Sequence, residues 1–401
     1  MYIMKKLLIL GGSSYLLPAI RAAHELGIYV ITADYLPDNI AHKYSDEYHN
    51  VSIIDKDAIL QLAEDLQIDG IVSYATDPGV VVAAYVAEKL GLPTSPYKSV
   101  KILQNKGKFR EFLRDNNFNV PYSETFKEYS EVELSKFKFP IIVKPVDSAG
   151  SKGVTRVDDE TALRAAFEYA LKYSITGEVI IEEFIEKKGY STDTDSFSID
   201  GKLVLATFND QCFDETANNP YTPAGYIYPC SMPVACQKEL RQELQRLMHL
   251  LDMGTTIYNI ETRVGKDGKC YIMECTPRAG GNRLAEMVKL SSGYDIIKAE
   301  IKAVMGMPIE EELKDPVYDG VWGELILHSN KSGKFKSLHI DSKIPEKNII
   351  EVNLWINPGD EVHEFTGANE TIGTVILRCD TREEMDSYFA KIDEYVTIDV
   401  E

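Results

Sequence analysis

Along the first hundred residues, apolar runs alternate with amphipathic stretches. "KLLILGG" reads as a strand, "LLPAIRAAHELG" as a helix stopping at Gly27, and "IYVITAD" as a strand ending at Asp34. "DKDAILQLAEDLQ" follows as an Asp-capped helix, "IDGIVSYATD" as a strand and "VVVAAYVAEKLGL" as a helix. Strands that are apolar throughout and separated by helices predict a parallel sheet covered on both faces. The rhythm then changes. "SVKILQNKGKFREFLRDNNFNVP" predicts one or two helices closed by Pro121. Beyond it, "FPIIVKPV", "GVTRVDD" and "EVIIEEFI" predict strands around the helix "DETALRAAFEYALKYS", an α+β unit of antiparallel character.

"DSFSIDGKLVLATFND" predicts a hairpin turning at Asp200-Gly201. Residues 211–231 show no period and are expected to be a long loop. A helix over "ACQKELRQELQRLMHLLDM", a hairpin over "TIYNIETRVGKDGKCYIMEC" and a helix over "GNRLAEMVKLSSG" come next. After about residue 310, short strands ("VWGELILHS", "NIIEVNLWI", "EVHEF", "TIGTVILRCD") close on a helix at "REEMDSYFAKIDEYV". The pattern divides the chain into a doubly wound α/β domain (1–100), an α+β domain (101–310) with a lobe over about 121–185, and a small C-terminal α+β domain (311–401).

Composition narrows the function. The chain has 401 residues, 43 basic and 63 acidic, for a net charge of −20. Such an acidic chain is a poor binder of nucleic acid or anionic membrane. The first residues could pass for a signal peptide, but "LLIL" breaks at once into GGSS, so a first strand is the expectation. No apolar run is long enough to span a bilayer. Six cysteines without a CxxC pair fit a reducing, cytoplasmic setting better than a disulfide framework.

The hairpin carries the chemistry. A two-residue turn at Asp267-Gly268 places Glu261 opposite Glu274, with Cβ atoms about 4.5–5.5 Å apart. A four-residue loop would make them diagonal neighbours on the same face. Ile260, Val264, Tyr271 and Met273 are expected on the other, core face. Facing carboxylates repel, and a hard divalent cation bound by both would offset that; a solvated sheet face would also tolerate them. Arg278, released from the strand by Pro277, is either their salt-bridge partner or an anion clamp beside a metal. Lys144, in the apolar strand "FPIIVKP", calls for an anion. The loop "DSAGSKG" after it offers small residues to phosphate oxygens, without being a Walker loop.

The order Lys106 ("QNKGKFREFL"), Lys144 ("FPIIVKPVDSAGSKGV"), "VIIEEFI", Glu261 ("YNIETR") and Glu274 ("MECTPRAGG") resembles the ATP-grasp superfamily of carboxylate–amine ligases, over roughly residues 5–310. The small C-terminal domain is similar to that of its amino-acid ligases. The resemblance implies ATP and Mg²⁺ (or Mn²⁺) as cofactors, small carboxylate and amine substrates, and a homodimer as one assembly. It implies that Lys106 and Lys144 contact phosphates under a closing loop of Ser148, Ala149, Gly150, Ser151 and Gly153. Glu182 (carbonyl) and Ile185 (N–H) would hold adenine, with Glu183 and Phe184 between them. Glu261 and Glu274 would hold the metal, and Arg278 would stabilise an acyl phosphate. Two positions depart from the family. Thr276 stands where an Asn is usual, so that Asn259, paired across from it, is expected to supply the amide. The ribose-binding Glu is missing, leaving Glu186 or Asp193. Tyr74, Thr76 and Asp77 are candidates for substrate contact at the sheet edge. The 211–231 segment, with Tyr221, Tyr226 and Tyr228, is a candidate lid, and Asp210, Asp214 and Glu215 would favour a cationic acceptor. Two other classes are weaker: a dinucleotide-binding oxidoreductase lacks GxGxxG here, and a non-catalytic nucleotide module would not need the retained Lys, Glu and Arg residues.

Overall fold

The computed structural model describes residues 4–148, 150–310 and 312–401. β1 (Lys6–Leu10) buries Leu7 through Leu10 completely, which only a strand covered on both faces can do. It is followed by α1 (Leu17–Glu25), β2 (Tyr29–Ala33), β3 (Glu47–His49), α2 (Lys56–Leu66), β4 (Gly70–Val72) and α3 (Asp77–Leu90). The Asp55 carboxylate accepts the Ala58 N–H and starts α2; Gly91, at φ 68°, ends α3. The strands are parallel in the order β3-β2-β1-β4, as the apolar runs predict.

α4 (Tyr97–Leu103) and α5 (Lys106–Asp115) lead into an antiparallel lobe of β5 (Ser123–Phe126), β6 (Ile141–Pro145), β7 (Thr155–Val157), α6 (Leu163–Tyr173) and β8 (Val179–Glu183). Its strand order is β5-β8-β6-β7. Leu163, Ala166, Phe167 and Ala170 recur at helical spacing and bury α6 on that sheet.

The central unit comprises β9 (Thr192–Ile199), β10 (Lys202–Leu205), β11 (Asp210–Phe213), β12 (Pro223–Tyr228), α7 (Val234–Leu250), β13 (Thr256–Val264), β14 (Cys270–Thr276), α8 (Leu284–Ser292) and α9 (Ile296–Val304). The sheet β10-β9-β13-β14 packs one face on α7, through Leu240, Leu244, Leu247 and Met248 against Ile260, Val264, Ile272 and Cys275. On the opposite face Phe197 and Ile257 pack against α8 and α9, and the polar side chains lie beyond them along the strands.

The expected two-residue turn in the β13–β14 hairpin does not form. The Gly265 N–H donates to the Lys269 carbonyl, so the loop is three residues, ending on Gly268 at φ 81°. Pairing near the turn is therefore one residue out of the predicted register. A bulge at Met273 restores it, and Glu261 stands opposite Glu274 as expected. The same shift moves Tyr271 off the core face: it pairs with Arg263, on the face of Glu261, while Cys270 and Ile272 take the core positions.

The remaining elements are β15 (Val321–Leu327), β16 (Gly333–Ile340), β17 (Ile349–Leu354), β18 (Glu361–Val362), β19 (Gly373–Cys379), α10 (Arg382–Phe389), α11 (Ile392–Tyr395) and β20 (Val396–Val400). The 211–231 segment is not an aperiodic lid. It supplies β11 and β12 to the sheet β11-β12-β15-β19-β17, with Tyr226 and Tyr228 fully buried. Continuous burial on β12, from Ala224 to Tyr228, hides the period of two that would have marked a strand.

Candidate active site

β9, β13 and β14 bring polar side chains into register on the open face of the central sheet. Asp193, Glu261 and Glu274 form one cross-strand row; Asp195, Asn259 and Thr276 form the next. Glu261 Oε1 has one cation nearby, Arg263 Nη2 at 3.5 Å. Burial raises the Glu261 carboxyl to about 7, with Arg263 opposing and Glu274 adding to the rise. Burial also acts to raise Glu274, but Lys106 and Lys144 outweigh it, so Glu274 stays below its ordinary value. Lys106 Nζ bonds Glu274 and donates to the Ser148 carbonyl at 3.0 Å.

The second row is a brace. Asn259 Nδ2 donates to Asp193 Oδ1 (2.8 Å) and to Asp195 Oδ1 (3.2 Å), and Tyr226 donates to Asp193 Oδ2 (3.0 Å). The Gly280 N–H donates to both Asp195 oxygens, at 2.8 and 3.0 Å. A Cβ on Gly280 would lie 2.7 Å from Asn259 Nδ2 and 2.9 Å from Asp195 Oδ1, so the turn after β14 approaches that closely only as glycine. Asp193 stands across from Glu261 with both oxygens engaged. Asn259 directs its amide nitrogen at the two aspartates. Thr276 is buried, and its carbonyl accepts the Arg278 N–H at 2.9 Å. Among the described residues no three or more His, Cys, Asp or Glu side chains converge as a metal-binding group.

The lobe side holds a buried ion triad. Lys144 Nζ donates to Glu182 Oε1 (2.6 Å), Arg110 Nε to Glu182 Oε2 (2.9 Å), and Arg110 Nη1 to the Met273 carbonyl (2.8 Å). Burial acts to raise Glu182, but the two cations hold it down at about 2. Burial lowers Lys144 despite Glu182. Expected only for its carbonyl, Glu182 thus has a side-chain role as well. Arg110 is a residue that sequence reading missed. Its signal was the spacing: Lys106, Arg110 and Arg114 fall on one stripe of α5, and Arg114 Nη2 donates to the Ser123 carbonyl at 3.1 Å.

The loop behind β6 is pinned at Asp147, which accepts the Ile175 and Thr176 N–H groups at 3.0 and 2.8 Å. Ala149 lies outside the described residues. Gly150 has open space around it, and Ser151 Oγ donates to the Tyr221 carbonyl at 3.3 Å. Gly153, at φ 74°, leaves 2.9 Å between its would-be Cβ and Pro145 Cγ. At the end of β8, the Glu183 N–H donates to the Tyr122 carbonyl (2.9 Å) and the Phe184 N–H to the Pro140 carbonyl (3.0 Å). The Ile185 carbonyl accepts Arg263 Nη1 at 3.1 Å.

Arg278 turns away from the acid pair. Its Nε and Nη2 grip Asp77 at 3.0 and 2.7 Å, a fork across to the first turn of α3. Burial acts to lower its pKa, but Asp77 outweighs that and raises it. Thr76 Oγ1 bonds back to the Tyr74 carbonyl at 3.1 Å, and Tyr74 is buried. Two of the three acids named for that segment are engaged internally: Asp210 pairs with Arg382 at 2.6 Å, and Asp214 with His328, Asn330 and Thr216, while Glu215 is exposed.

Comparison with known proteins fits this arrangement. A family model described as an ATP-grasp domain matches residues 137–286, and one described as an ATP-grasp N-terminal domain matches residues 20–94. The chain belongs to the ATP-grasp superfamily. Among curated relatives, it is 24% identical over 364 residues to the carbamoyl phosphate synthase large chain, C-terminal section, of Aquifex aeolicus. That match takes in 88% of this chain and 65% of the relative, so the chain spans just under two thirds of that relative's length. It is 25% identical over 330 residues to the formate-dependent phosphoribosylglycinamide formyltransferase of Burkholderia vietnamiensis, covering 79% of each. Among solved structures, the L-amino acid ligase of Bacillus licheniformis superposes with a TM-score of 0.82 at 21% identity, over all of both chains. The N5-carboxyaminoimidazole ribonucleotide synthetase of Thermotoga maritima gives 0.75 at 17%, covering 99% of this chain and all of the other. These structural likenesses show a shared fold.

Proposed function

We propose that the protein is an ATP-dependent ligase that activates a carboxylate as an acyl phosphate and joins it to an amine, releasing ADP and phosphate. One observation carries the reading: Lys106 pairs with Glu274 beside Glu261, and Lys144 pairs with Glu182 on the facing lobe, so two lysines and two facing carboxylates share one cleft.

The donor set fits Mg²⁺, with Mn²⁺ as an alternative. Glu261 and Glu274 offer hard oxygens side by side, and Glu261 has a single, long ion pair to give up. Bound there, the ion would supply positive charge to ATP phosphate oxygens. The chain's own residues do the rest. Lys106 and Lys144 bind the phosphates, and the loop from Ser148 to Gly153 covers them. The segment from Glu182 to Ile185 holds adenine, its Ile185 N–H facing the base. A substrate carboxylate oxygen attacks the γ-phosphorus and the bond to the ADP oxygen breaks. Amine nitrogen then attacks the acyl carbon, the C–O bond to phosphate breaks, and the amine proton leaves with the phosphate. On exchanging Asp77 for substrate, Arg278 steadies the acyl phosphate.

Purine-type and carbamoyl-phosphate-type reactions are variants of the same chemistry, and the curated relatives named above support keeping them in the screen. Six free cysteines and the absence, among the described residues, of a helix able to cross a membrane support a cytoplasmic location. A homodimer is the assembly we favour. Its basis is a dimeric neighbour of similar fold: a biotin carboxylase domain dimer, TM-score 0.76 at 16% identity.

The test is to incubate the protein with ATP, Mg²⁺ and pairs of amino acids and follow the nucleotide products. ADP and phosphate release that requires both a carboxylate and an amine is expected; AMP and pyrophosphate would overturn the acyl-phosphate route.

A further inference from the structure

Arg278 is committed before any ligand arrives. Its Nε and Nη2 take both Asp77 oxygens, at 3.0 and 2.7 Å, while Nη1 stays on the Ala279 carbonyl at 2.8 Å. This is the planar, two-point grip that a guanidinium gives any carboxylate. The pair is not sealed. The Arg278 side chain is 10% exposed and that of Asp77 20%, against 1% and 3% for Arg110 and Glu182 in the lobe. Solvent reaches this ion pair from the cleft, whereas the lobe pair is closed off.

Asp77 is held where it stands by its own turn. The Ser73 hydroxyl donates to the Thr76 carbonyl at 2.6 Å, Ala75 sits at φ 51°, and a Cβ on Gly79 would lie 2.5 Å from Ser73 Oγ. A left-handed alanine beside so close a helix approach marks a turn fixed by its surroundings. Asp77 then opens α3, a helix of 14 residues, whose free N–H groups favour a negative charge there once the arginine lets go. The charge also reaches the phosphate side. Burial acts to lower Lys106, but Glu274 and then Asp77 hold it above its ordinary value.

We propose that Asp77 is a positioning residue that fills the Arg278 fork in place of the substrate carboxylate, so that the substrate binds by exchange and Arg278 is withheld until it does. This rests on the ligase reading above and adds how that site is regulated. The incoming group has the size and charge of the one it replaces, so the exchange asks for access rather than for a new cavity. Arg278 is the moving partner: the Asp77 turn is stiff, and the arginine keeps its Nη1 contact as a pivot. A carboxylate so gripped spends one lone pair of each oxygen on the N–H donors and keeps the other for attack on phosphorus. An alcohol or amide offers the fork no matching pair of anionic oxygens and leaves Asp77 in place.

Acetate titrated calorimetrically into the full-length protein, without ATP, reads the fork alone. Asp77→Asn sets an NH₂ group against one of the fork's own donors. It should bind acetate about tenfold more tightly than wild-type protein, the worth of one charge-assisted hydrogen bond, and adding Arg278→Gln should abolish the gain. In steady-state kinetics with the carboxylate donor that the amino-acid screen returns, Asp77→Asn should lower KM by a similar factor with kcat little changed. A pair serving stability alone gives the opposite sign, since a loosened site raises KM. Should Asp77→Asn fail to fold, Asp77→Ser, which suits a helix start, carries the same expectations. Acetate affinity no better than that of wild-type protein, or a KM unchanged or raised, would overturn the proposal. If the acetate result holds while no carboxylate–amine pair yields ADP, the ligase reading falls and Asp77 remains the competitor at Arg278.

Discussion

Glu182 and Glu261 are both glutamates on strands lining one cleft, and they keep different company. Glu182 is held between Lys144 and Arg110 and pushed down to about 2. Glu261 has one arginine at 3.5 Å, stands between Asp193 and Glu274, and is pushed up to about 7. The first is a finished ion network that fixes where Lys144 points. The second is an unfinished one, in which the anion is disfavoured until a cation arrives. A cleft that must stay rigid empty and still gain affinity for a charged ligand needs both kinds.

The comparison breaks most directly at Arg110. Arg110→Met leaves Glu182 with Lys144 alone and the Met273 carbonyl without its donor. Removing one partner of a buried pair costs about 3–5 kcal/mol, so urea denaturation should show a loss of that order. Full stability would mean that the Lys144–Glu182 pair suffices and the network is not one unit.

Glu274→Gln probes the unfinished side. Lys106 keeps the Ser148 carbonyl, and one of two facing acids is removed, so stability should move less than with Arg110→Met. Turnover should fall by about 10²–10³, the usual cost of losing one stabilising group in a transition state. Steady-state kinetics alongside thermal melts would show the split; retained turnover would remove the metal role.

A milder test uses Glu300, an acid of the raised kind away from the cleft. It accepts the Ile257 N–H at 2.7 Å and the Thr256 hydroxyl at 3.2 Å, and burial raises it to about 7. The native state then holds the proton more tightly than the unfolded chain. Its contribution is therefore full below about pH 4.5 and fades as pH rises toward about 7, by at most about 3 kcal/mol. Glu300→Gln should flatten stability across that window. An unaltered pH slope would show that the side chain ionises freely despite its burial.

Much of this was legible beforehand because it is local. Lys144 in an apolar strand, the glycine-rich loop behind it and two glutamates on one hairpin are features of short stretches. Even so, the facing of Glu261 and Glu274 was reached through a wrong turn, whose one-residue error the bulge at Met273 cancels. A bulge leaves no mark in a strand buried on both faces, because the period of two is already hidden there.

The sequence by itself determined the periods, the caps, the turns and the kinds of side chain available at each edge, because these follow from chain geometry over a few residues. Tertiary structure decided who meets whom. Arg278 finds Asp77 across 201 positions, Arg110 finds the Met273 carbonyl across 163, and β12 leaves the middle of the chain to pair with β15. Whether an acid became a strut, a locked partner or an open charge depended on those distant neighbours. In a low-dielectric interior, the pairing of a charge outweighs its identity.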